Sequence, residues 1–232
     1  MDLLFEAFGE AWRLLTTGDD DVYAITLRTA LITGSSTLVA TLIGVPAGLT
    51  IALARFPGQR TLVTLANAGT GVPPVVAGLV VAMLLWRSGP LGQLGLIYTP
   101  GAIVIAQALI ATPIIMAVTS ASVMSLSPDL KFQVRAMGAN DVQYLWLIAR
   151  EARLPLAVAI MAGFGAVISE VGASMMVGGN LSGETRMLTT AAVLEVSRGR
   201  FGAGLAFGLI LVALVIVVSV VLTAVQHRSR RQ

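Results

Sequence analysis

Five long apolar runs, separated by shorter polar stretches, set the pattern of this chain. Each run has enough apolar residues to cross a hydrocarbon core of ~30 Å as an α-helix. Backbone polar groups find no partners in lipid, so helices that satisfy their own hydrogen bonds are the expected form. The pattern predicts an all-α, polytopic membrane protein with about five transmembrane helices. The runs extend from about Val22 to Ala54, Thr61 to Trp86, Gly101 to Met124, Pro155 to Val177 and Phe201 to Val225.

The second apolar run is interrupted near one end by glycine and proline. The interruption consists of Gly69, Gly71 and the pair Pro73-Pro74. It leaves backbone groups without helical hydrogen bonds, and neighbouring protein or water in a cavity must satisfy them. This interruption is typical of a pore wall. In the first run, Pro46 is flanked by glycines and is expected to bend its helix.

The longest polar interlude, residues 127–155, predicts two short helices joined at a glycine. Ser127 and the proline after it form a helix start, because a hydroxyl can accept hydrogen bonds from free N–H groups and proline suits the first turn. Gly138 ends this helix. Asn140 and Gln143 can then cap a second helix reciprocally. We call residues 127–155 the elbow segment.

The composition agrees with a membrane protein. Of the 232 residues, 56% are hydrophobic and 12% are charged, and the mean hydropathy is +0.87, whereas soluble domains have about 25% charged residues. The net charge of +3 does not indicate nucleic-acid binding, because the basic residues are spread among the ends of the apolar runs. The absence of cysteine excludes disulfides and thiol catalysis. The single histidine, His227, is expected to be solvated, and neither a metal site nor a cofactor is predicted.

The distribution of Lys and Arg predicts the orientation in the membrane. The turn 55–60, the elbow segment and the C-terminal tail hold two, four and three basic residues, nine of the 15 in the chain. Cytoplasmic segments are enriched in such residues, so the N-terminus is predicted outside a cell membrane and the C-terminus inside. Residues 1–21 form an N-terminal amphipathic segment, residues 22–226 the transmembrane domain and residues 227–232 a basic cytoplasmic tail. The polar stretch 178–200 is expected outside.

Two ionisable side chains, Arg28 and Glu170, lie within apolar runs. A charge at a helix centre costs roughly 2.5 to 3.5 kcal/mol on insertion scales, so the two are a candidate pair, with a structural hydrogen bond as the other role predicted for Glu170. For Arg28, snorkelling or structural pairing is favoured over contact with a substrate. Several hydroxyl groups could donate to an anion, but helix packing is the commoner role of such residues in membranes. They belong to Ser169, Ser174, Thr189 and Thr190.

The elbow segment resembles the cytoplasmic coupling loop of binding-protein-dependent ABC importer permeases with a type I membrane domain. That loop has a glutamate-alanine-alanine start, a glycine four residues after the second alanine, and an isoleucine-x-leucine-proline end. Gly138 matches the glycine and Ile148 the isoleucine. The chain departs from the pattern at two places: Phe132, Gln133 and Val134 occupy the glutamate-alanine-alanine positions, and Arg150 and Glu151 replace the leucine and proline, with Pro155 slightly further along.

A second stretch resembles a narrower branch of these permeases. Residues 168–180, ISEVGASMMVGGN, followed by residues 185–191, TRMLTTA, are similar to tungstate permeases and more distantly to molybdate and sulfate permeases. We call residues 168–180 the glycine-rich segment. With the hydropathy pattern, the two resemblances cover roughly residues 22–226.

The resemblance implies the permease subunit of an ATP-driven importer that forms the translocation pathway for an oxyanion, with tungstate as the expected anion. The chain has no phosphate loop, since its sole lysine, Lys131, follows SPDL rather than a glycine turn. ATP hydrolysis is therefore expected on separate cytoplasmic ATP-binding subunits rather than on this chain. A homodimer in membrane lipid and an extracytoplasmic oxyanion-binding protein are the other expected partners.

The resemblance also assigns residues to two tasks. Residues at the bend of the elbow segment are expected to contact the ATP-binding subunit, and residues of the glycine-rich segment to form the pathway or its gate. The contact residues are Ala136, Met137, Gly138, Ala139, Asn140 and Val142. The pathway or gate residues are Ser169, Gly172, Ser174, Met175, Met176, Gly178, Gly179 and Asn180.

Three other functions were weighed. A molybdate or sulfate permease is the nearest alternative, because these oxyanions share charge and shape with tungstate. A secondary transporter or channel would need no ATPase, but the cytoplasmic helix pair and the lack of an inverted repeat argue against it. An intramembrane enzyme is disfavoured, because no HExxH motif, GxSxG motif or pair of carboxylates is present.

Overall fold

The computed structural model describes residues 5, 8, 9, 12, 13, 20–54 and 56–230. Within 20–54 and 56–230 the chain forms ten α-helices and one short 3-10 helix, Gly92–Leu94, and no strand, which confirms the all-α prediction. The predicted N-terminal amphipathic segment lies mostly outside the described residues. The helices are α1 Asp20–Leu53, α2 Gln59–Gly69, α3 Pro74–Leu85, α4 Pro100–Met124, α5 Pro128–Ala136, α6 Asp141–Glu151, α7 Arg153–Ile168, α8 Gly172–Gly178, α9 Leu188–Ser197 and α10 Phe201–Arg230.

Three helices are long and apolar enough to cross a membrane alone: α1, α4 and the part of α10 from Phe201 to Val221. Two further spans are possible if bent pairs are counted, since α2 and α3 meet at 100° and α6 and α7 at 74°. The three to five spans agree with the predicted number. The 100° bend falls at the predicted interruption, because the N–H groups that a continuous helix needs are missing at Pro73 and Pro74.

Two parts of the predicted span pattern were wrong. The fourth span was predicted to extend from about 155 to 177, but the structure divides this stretch, because α7 ends at Ile168 and α8 begins at Gly172. The stretch 178–200 was predicted to be polar throughout, but it contains α9, whose first turn is buried from Leu188 to Ala191; its external location stays a prediction. Hydropathy averaged over a window does not distinguish a break of three residues from a continuous helix.

Helices α1 and α4 form the centre of the bundle, where small residues let their backbones approach. A Cβ atom at Gly44 would lie 3.0 Å from the Thr112 carbonyl oxygen, and one at Gly48 only 2.7 Å from the Met116 carbonyl oxygen. Helix α1 continues through Pro46, which lies between these glycines. Helix α7 joins the same core through a buried cluster of Ala40, Ala111, Ile115, Ala159 and Val167.

Candidate functional site

The first helix of the elbow segment starts and ends as its sequence predicts. The Ser127 hydroxyl oxygen accepts hydrogen bonds from the N–H groups of Asp129 at 3.1 Å and Leu130 at 3.5 Å. The helix ends at Ala136, and Gly138 has a φ of +79°, a left-handed conformation that glycine adopts without steric cost. The predicted helix start and glycine bend are confirmed.

The second helix is capped from both sides, which confirms the reciprocal cap. The Asn140 side-chain oxygen accepts from the Gln143 N–H at 2.9 Å, and the Gln143 side-chain oxygen accepts from the Asn140 N–H at 3.0 Å. Across the bend, Arg135 Nη1 donates to Asp141 Oδ1 at 2.9 Å, while its guanidinium carbon lies 4.2 Å from the centre of the Tyr144 ring. These contacts fix the orientation of α6 relative to α5.

One side of the elbow segment is anchored in the bundle and the other is open. Val134, Tyr144 and Ile148 are buried against Leu49 and Val123. The six residues predicted to contact the ATP-binding subunit lie together at the bend, all exposed except Ala139, which is half-buried. Several of them border a cavity of about 520 Å³, whose lining is Val134, Met137, Gly138, Ala139, Gln143, Trp146 and Leu147.

Sequence reasoning missed two exposed aromatic residues of the elbow segment. The side chain of Phe132 is 75% exposed and that of Trp146 is 59% exposed, beside the predicted Met137 and Val142 at 75% and 76%. Phe132 lies in α5 and Trp146 in α6 rather than at the bend, so neither was among the six residues around Gly138 predicted to contact the ATP-binding subunit. The signal that could have identified them is a large aromatic side chain among the charged and polar residues of the elbow segment.

The glycine-rich segment forms a break in the membrane bundle. Glu170 lies at this break with only 9% of its surface exposed, and its Oε1 accepts from the Ala173 N–H at 2.8 Å, in the first turn of α8. The exposed Ser169 hydroxyl donates to the Gly165 carbonyl oxygen at 2.9 Å. At the other end of α8, Gly179 has a φ of +68° and Asn180 a φ of +52°. The Asn180 side-chain amide donates to the Thr190 carbonyl oxygen at 3.4 Å, so side chains at both ends of α8 bond to the chain's own backbone.

Helix α8 packs so closely on α3 that the two helix breaks lie side by side. A Cβ atom at Gly78 would lie 2.5 Å from the Cα atom of Ala173, and one at Gly172 would lie 2.6 Å from a methyl group of Val75. The predicted pathway residues divide between the two sides of α8. Ser174 and Gly178 are buried, Gly172 and Asn180 are half-buried, and Ser169, Met175, Met176 and Gly179 are exposed.

The structure does not form the predicted pair of Arg28 and Glu170. The Arg28 guanidinium instead donates to the carbonyl oxygens of Gly183 at 2.7 Å and Arg186 at 3.2 Å, while Glu170 caps α8. Each charge is satisfied by backbone groups that the irregular segments leave free. Arg28 thus bonds to backbone carbonyl groups rather than to a charged partner, and the structural hydrogen bond predicted as one of two roles for Glu170 is confirmed.

Three of the four hydroxyl groups predicted as possible anion donors bond to backbone, whereas Ser174 accepts from the Gln107 side chain at 3.3 Å. Thr29, which was not among the four, also bonds to backbone. The Thr29 hydroxyl oxygen accepts from the Leu188 N–H at 2.9 Å, and the Thr190 hydroxyl oxygen accepts from the Met187 N–H at 3.0 Å. The Thr189 hydroxyl donates to the Glu170 carbonyl oxygen at 3.4 Å. In the described part of the chain, no three His, Cys, Asp or Glu side chains lie together as metal ligands would.

Comparison with known proteins identifies the family. The family model for the binding-protein-dependent transport system inner membrane component matches residues 44–231, most of the chain. The chain belongs to this family. Over 227 residues this permease is 33% identical to the tungstate uptake system permease protein TupB of Peptoclostridium acidaminophilum, covering 98% of this chain and 100% of that protein. It is 35% identical over 198 residues to a probable anion ABC transporter permease protein of Haloferax volcanii, covering 83% and 85%.

A solved structure supports the fold of the permease. A chain of the MetNI methionine ABC transporter in an inward-facing conformation superposes with a TM-score of 0.66 at 22% sequence identity, covering 95% of this chain and 96% of that chain. At this identity the likeness concerns the fold alone. The permease is therefore a membrane subunit of the ABC transporter type, with several apolar helices.

Proposed function

We propose that this permease is the pathway-forming subunit of an ATP-driven importer of tungstate. The main structural support for this transport mechanism is the elbow segment, because it presents a capped helix pair whose open face suits a soluble partner. The substrate rests on the similarity to TupB over nearly the whole chain. Molybdate and sulfate permeases are more distant, at 25% and 24% to 25% identity.

The elbow segment couples the permease to a separate ATP-binding subunit. Phe132, Met137, Val142 and Trp146 leave apolar surface exposed on a segment rich in charged residues. Exposed apolar patches of this kind mark sites of protein contact. The opposite face of α6 is buried against α1 and α4 through Tyr144. A displacement of the docked ATPase is therefore passed to the membrane helices as a movement of the elbow.

The paired helix breaks form the wall of the pathway in a homodimer. Asn67 leaves its side-chain amide exposed near these breaks, and lipid cannot satisfy such a group or the freed backbone. A second copy and a water-filled path between the copies supply the missing contacts. The glycine-rich segment contains no lysine or arginine, so recognition of the anion is assigned to the extracytoplasmic binding protein rather than to this wall.

The proposed orientation has the N-terminus outside and the elbow in the cytoplasm. Because the chain has no cysteine, single cysteines are clean probes. Gly18→Cys and Ser182→Cys should react with an impermeant thiol reagent from outside, and Asn140→Cys only from inside. Labelling of position 140 from the outside would reverse the assignment.

Reconstitution tests the proposed function. The permease is placed in vesicles with a candidate ATP-binding subunit and a candidate extracytoplasmic binding protein, and uptake of tungstate, molybdate and sulfate is measured with and without ATP. Uptake of tungstate that needs all three proteins and ATP is the expected result. Uptake by the permease alone would support a channel or secondary transporter, and preference for molybdate or sulfate would replace the proposed substrate.

A further inference from the structure

A buried polar cluster at the centre of the bundle is unexplained by the coupling and pathway assignments. Gln107, in α4, has no exposed surface. Its Oε1 accepts from the Ser36 hydroxyl at 2.8 Å, and its Nε2 donates to the Val167 carbonyl oxygen and to the Ser174 hydroxyl oxygen, both at 3.3 Å. One side chain thus joins α1, α4, α7 and α8.

The two bonds from Nε2 lie on opposite sides of the helix break. Val167 is next to the last residue of α7, and Ser174 is in α8. In a continuous α-helix the Val167 carbonyl oxygen would accept from residue 171, but here it accepts from the Glu170 N–H at 3.2 Å. Gln107 gives this carbonyl a second donor. The primary amide therefore bridges the break, with one N–H group for each side.

Gln107 is not needed to fill space, because an apolar side chain of similar length would do so in the membrane. A buried amide is costly unless it is hydrogen-bonded, and here both polar atoms of the side chain have partners. Ser36 and Ser174 are also almost fully buried, at 0% and 1% exposure. The cluster is therefore satisfied only while α8 keeps its present position relative to α4 and α7.

We propose that Gln107 is a positioning residue that fixes the angle of the break between α7 and α8. It thereby sets how far Met175 and Met176, each 37% exposed, project from α8. The consequence for transport rests on the proposed function, in which α8 lines the pathway. The effect of Gln107 on the position of α8 does not depend on the proposed function.

The cluster also links the break to α1. The Ser36 hydroxyl lies 2.6 Å from the Ile32 carbonyl oxygen and 2.8 Å from Gln107 Oε1. Since a hydroxyl has one proton, it serves one of these acceptors at a time. When Ser36 donates to Ile32, the buried Gln107 Oε1 loses this donor, while the two bonds from Nε2 that hold the break are unaffected.

Thiol reactivity tests the position of α8. The reaction rate of Met176→Cys with a small water-soluble reagent is divided by the rate of Val142→Cys in the elbow segment, which lies far from the cluster. Gln107→Met removes both amide donors with little change in length, and we expect the ratio to change by at least about fivefold, the effect of losing one hydrogen bond of about 1 kcal/mol. Uptake per ATP hydrolysed should fall in the same variant.

Gln59→Met is the matched control, because Gln59 Nε2 also donates to a carbonyl oxygen near a helix end, that of Ile51 at 2.7 Å. Its rate ratio should equal that of the parent. If Gln107→Met does not fold, Ser174→Ala removes one arm of the bridge and should still change the ratio. An unchanged ratio in the folded variants overturns the proposal. A parent that shows no ATP-driven uptake refutes the proposed function instead, and the thiol rates still decide the role of Gln107.

Discussion

The elbow segment and the glycine-rich segment each join two helices at a break, but their hydrogen bonds span very different distances in the sequence. In the elbow, Asn140 and Gln143 are three residues apart, and Arg135 and Asp141 are six apart. At the break of the glycine-rich segment, Gln107 bonds to a residue 60 positions away, and Thr29 holds the start of α9 from 159 positions away. The second break also has a local cap, from Glu170 to Ala173, but its long-range hydrogen bonds come from other helices, whereas the hydrogen bonds of the elbow described above are local.

This difference suits the two proposed tasks. A docking element must keep its shape while the helices around it move, and local caps, each contributing about 1 kcal/mol, are sufficient for that. A pathway wall must respond to the arrangement of the bundle, so its shape has to depend on contacts from several helices. Buried hydrogen bonds serve this purpose because leaving one unmade costs about 1–3 kcal/mol.

The largest effect is expected where α3 and α8 touch. Gly78→Val would place its Cβ atom 2.5 Å from the Cα atom of Ala173, and the backbone cannot move aside without separating the helices. Overpacking of this kind costs about 3 kcal/mol. The purified protein should therefore unfold at a clearly lower temperature in detergent, and uptake should be lost.

Gly165→Val is the control for this change. Gly165 is a helical glycine in α7, and no atom from a neighbouring helix lies within 4 Å of the position that a Cβ atom would take there, so the same substitution adds no collision. Its unfolding temperature should stay near that of the parent. Equal losses in the two variants would show that the α3–α8 contact does not hold the second break.

The difference between local and long-range hydrogen bonds also explains which features could be predicted from the sequence. The start at Ser127, the bend at Gly138 and the cap at Asn140 each depend on residues within one turn, so the signal is present in a short window. The partners of Arg28 could not be predicted, because the carbonyl groups of Gly183 and Arg186 become neighbours only when the bundle forms. The same holds for Gln107, which looks like an isolated polar residue in an apolar helix.

A second prediction separates strain from coupling in the elbow. Gly138→Val forces a β-branched residue to a φ of +79°, which costs at least about 1–2 kcal/mol and should tilt α6. We expect normal insertion but loss of ATPase co-purification and of ATP turnover stimulated by the binding protein. Gly199→Val, at a φ of +77° with equally open space, carries the same strain outside the elbow and should keep both. Wild-type coupling in Gly138→Val would make the elbow a passive loop.

A third prediction concerns Arg28 and Glu170, which are bound to separate backbone groups. Arg28→Gln loses the guanidinium that joins α1 to the loop at Gly183 and should lower the free energy of unfolding by about 1–2 kcal/mol. Glu170→Gln keeps an oxygen that can accept from Ala173 and should cost less. The double variant should be additive to within about 0.5 kcal/mol in detergent unfolding. A larger coupling energy would show that the two side chains interact as an ion pair, contrary to the structure.

The smallest effect is expected for the ion pair across the elbow. The side chains of Arg135 and Asp141 are 52% and 83% exposed, and exposed pairs contribute about 0.2–1 kcal/mol because water and salt screen them. A double-mutant cycle with Arg135→Gln and Asp141→Asn should give a coupling energy in that range that fades in high salt. The pair of Arg200 and Glu195 is the comparison, because Glu195 is only 13% exposed and the closest distance is 2.7 Å. Its cycle should give the larger coupling energy and the weaker salt dependence. If the elbow pair proves the stronger and the less sensitive to salt, the elbow is held by its charges rather than by its caps and glycine.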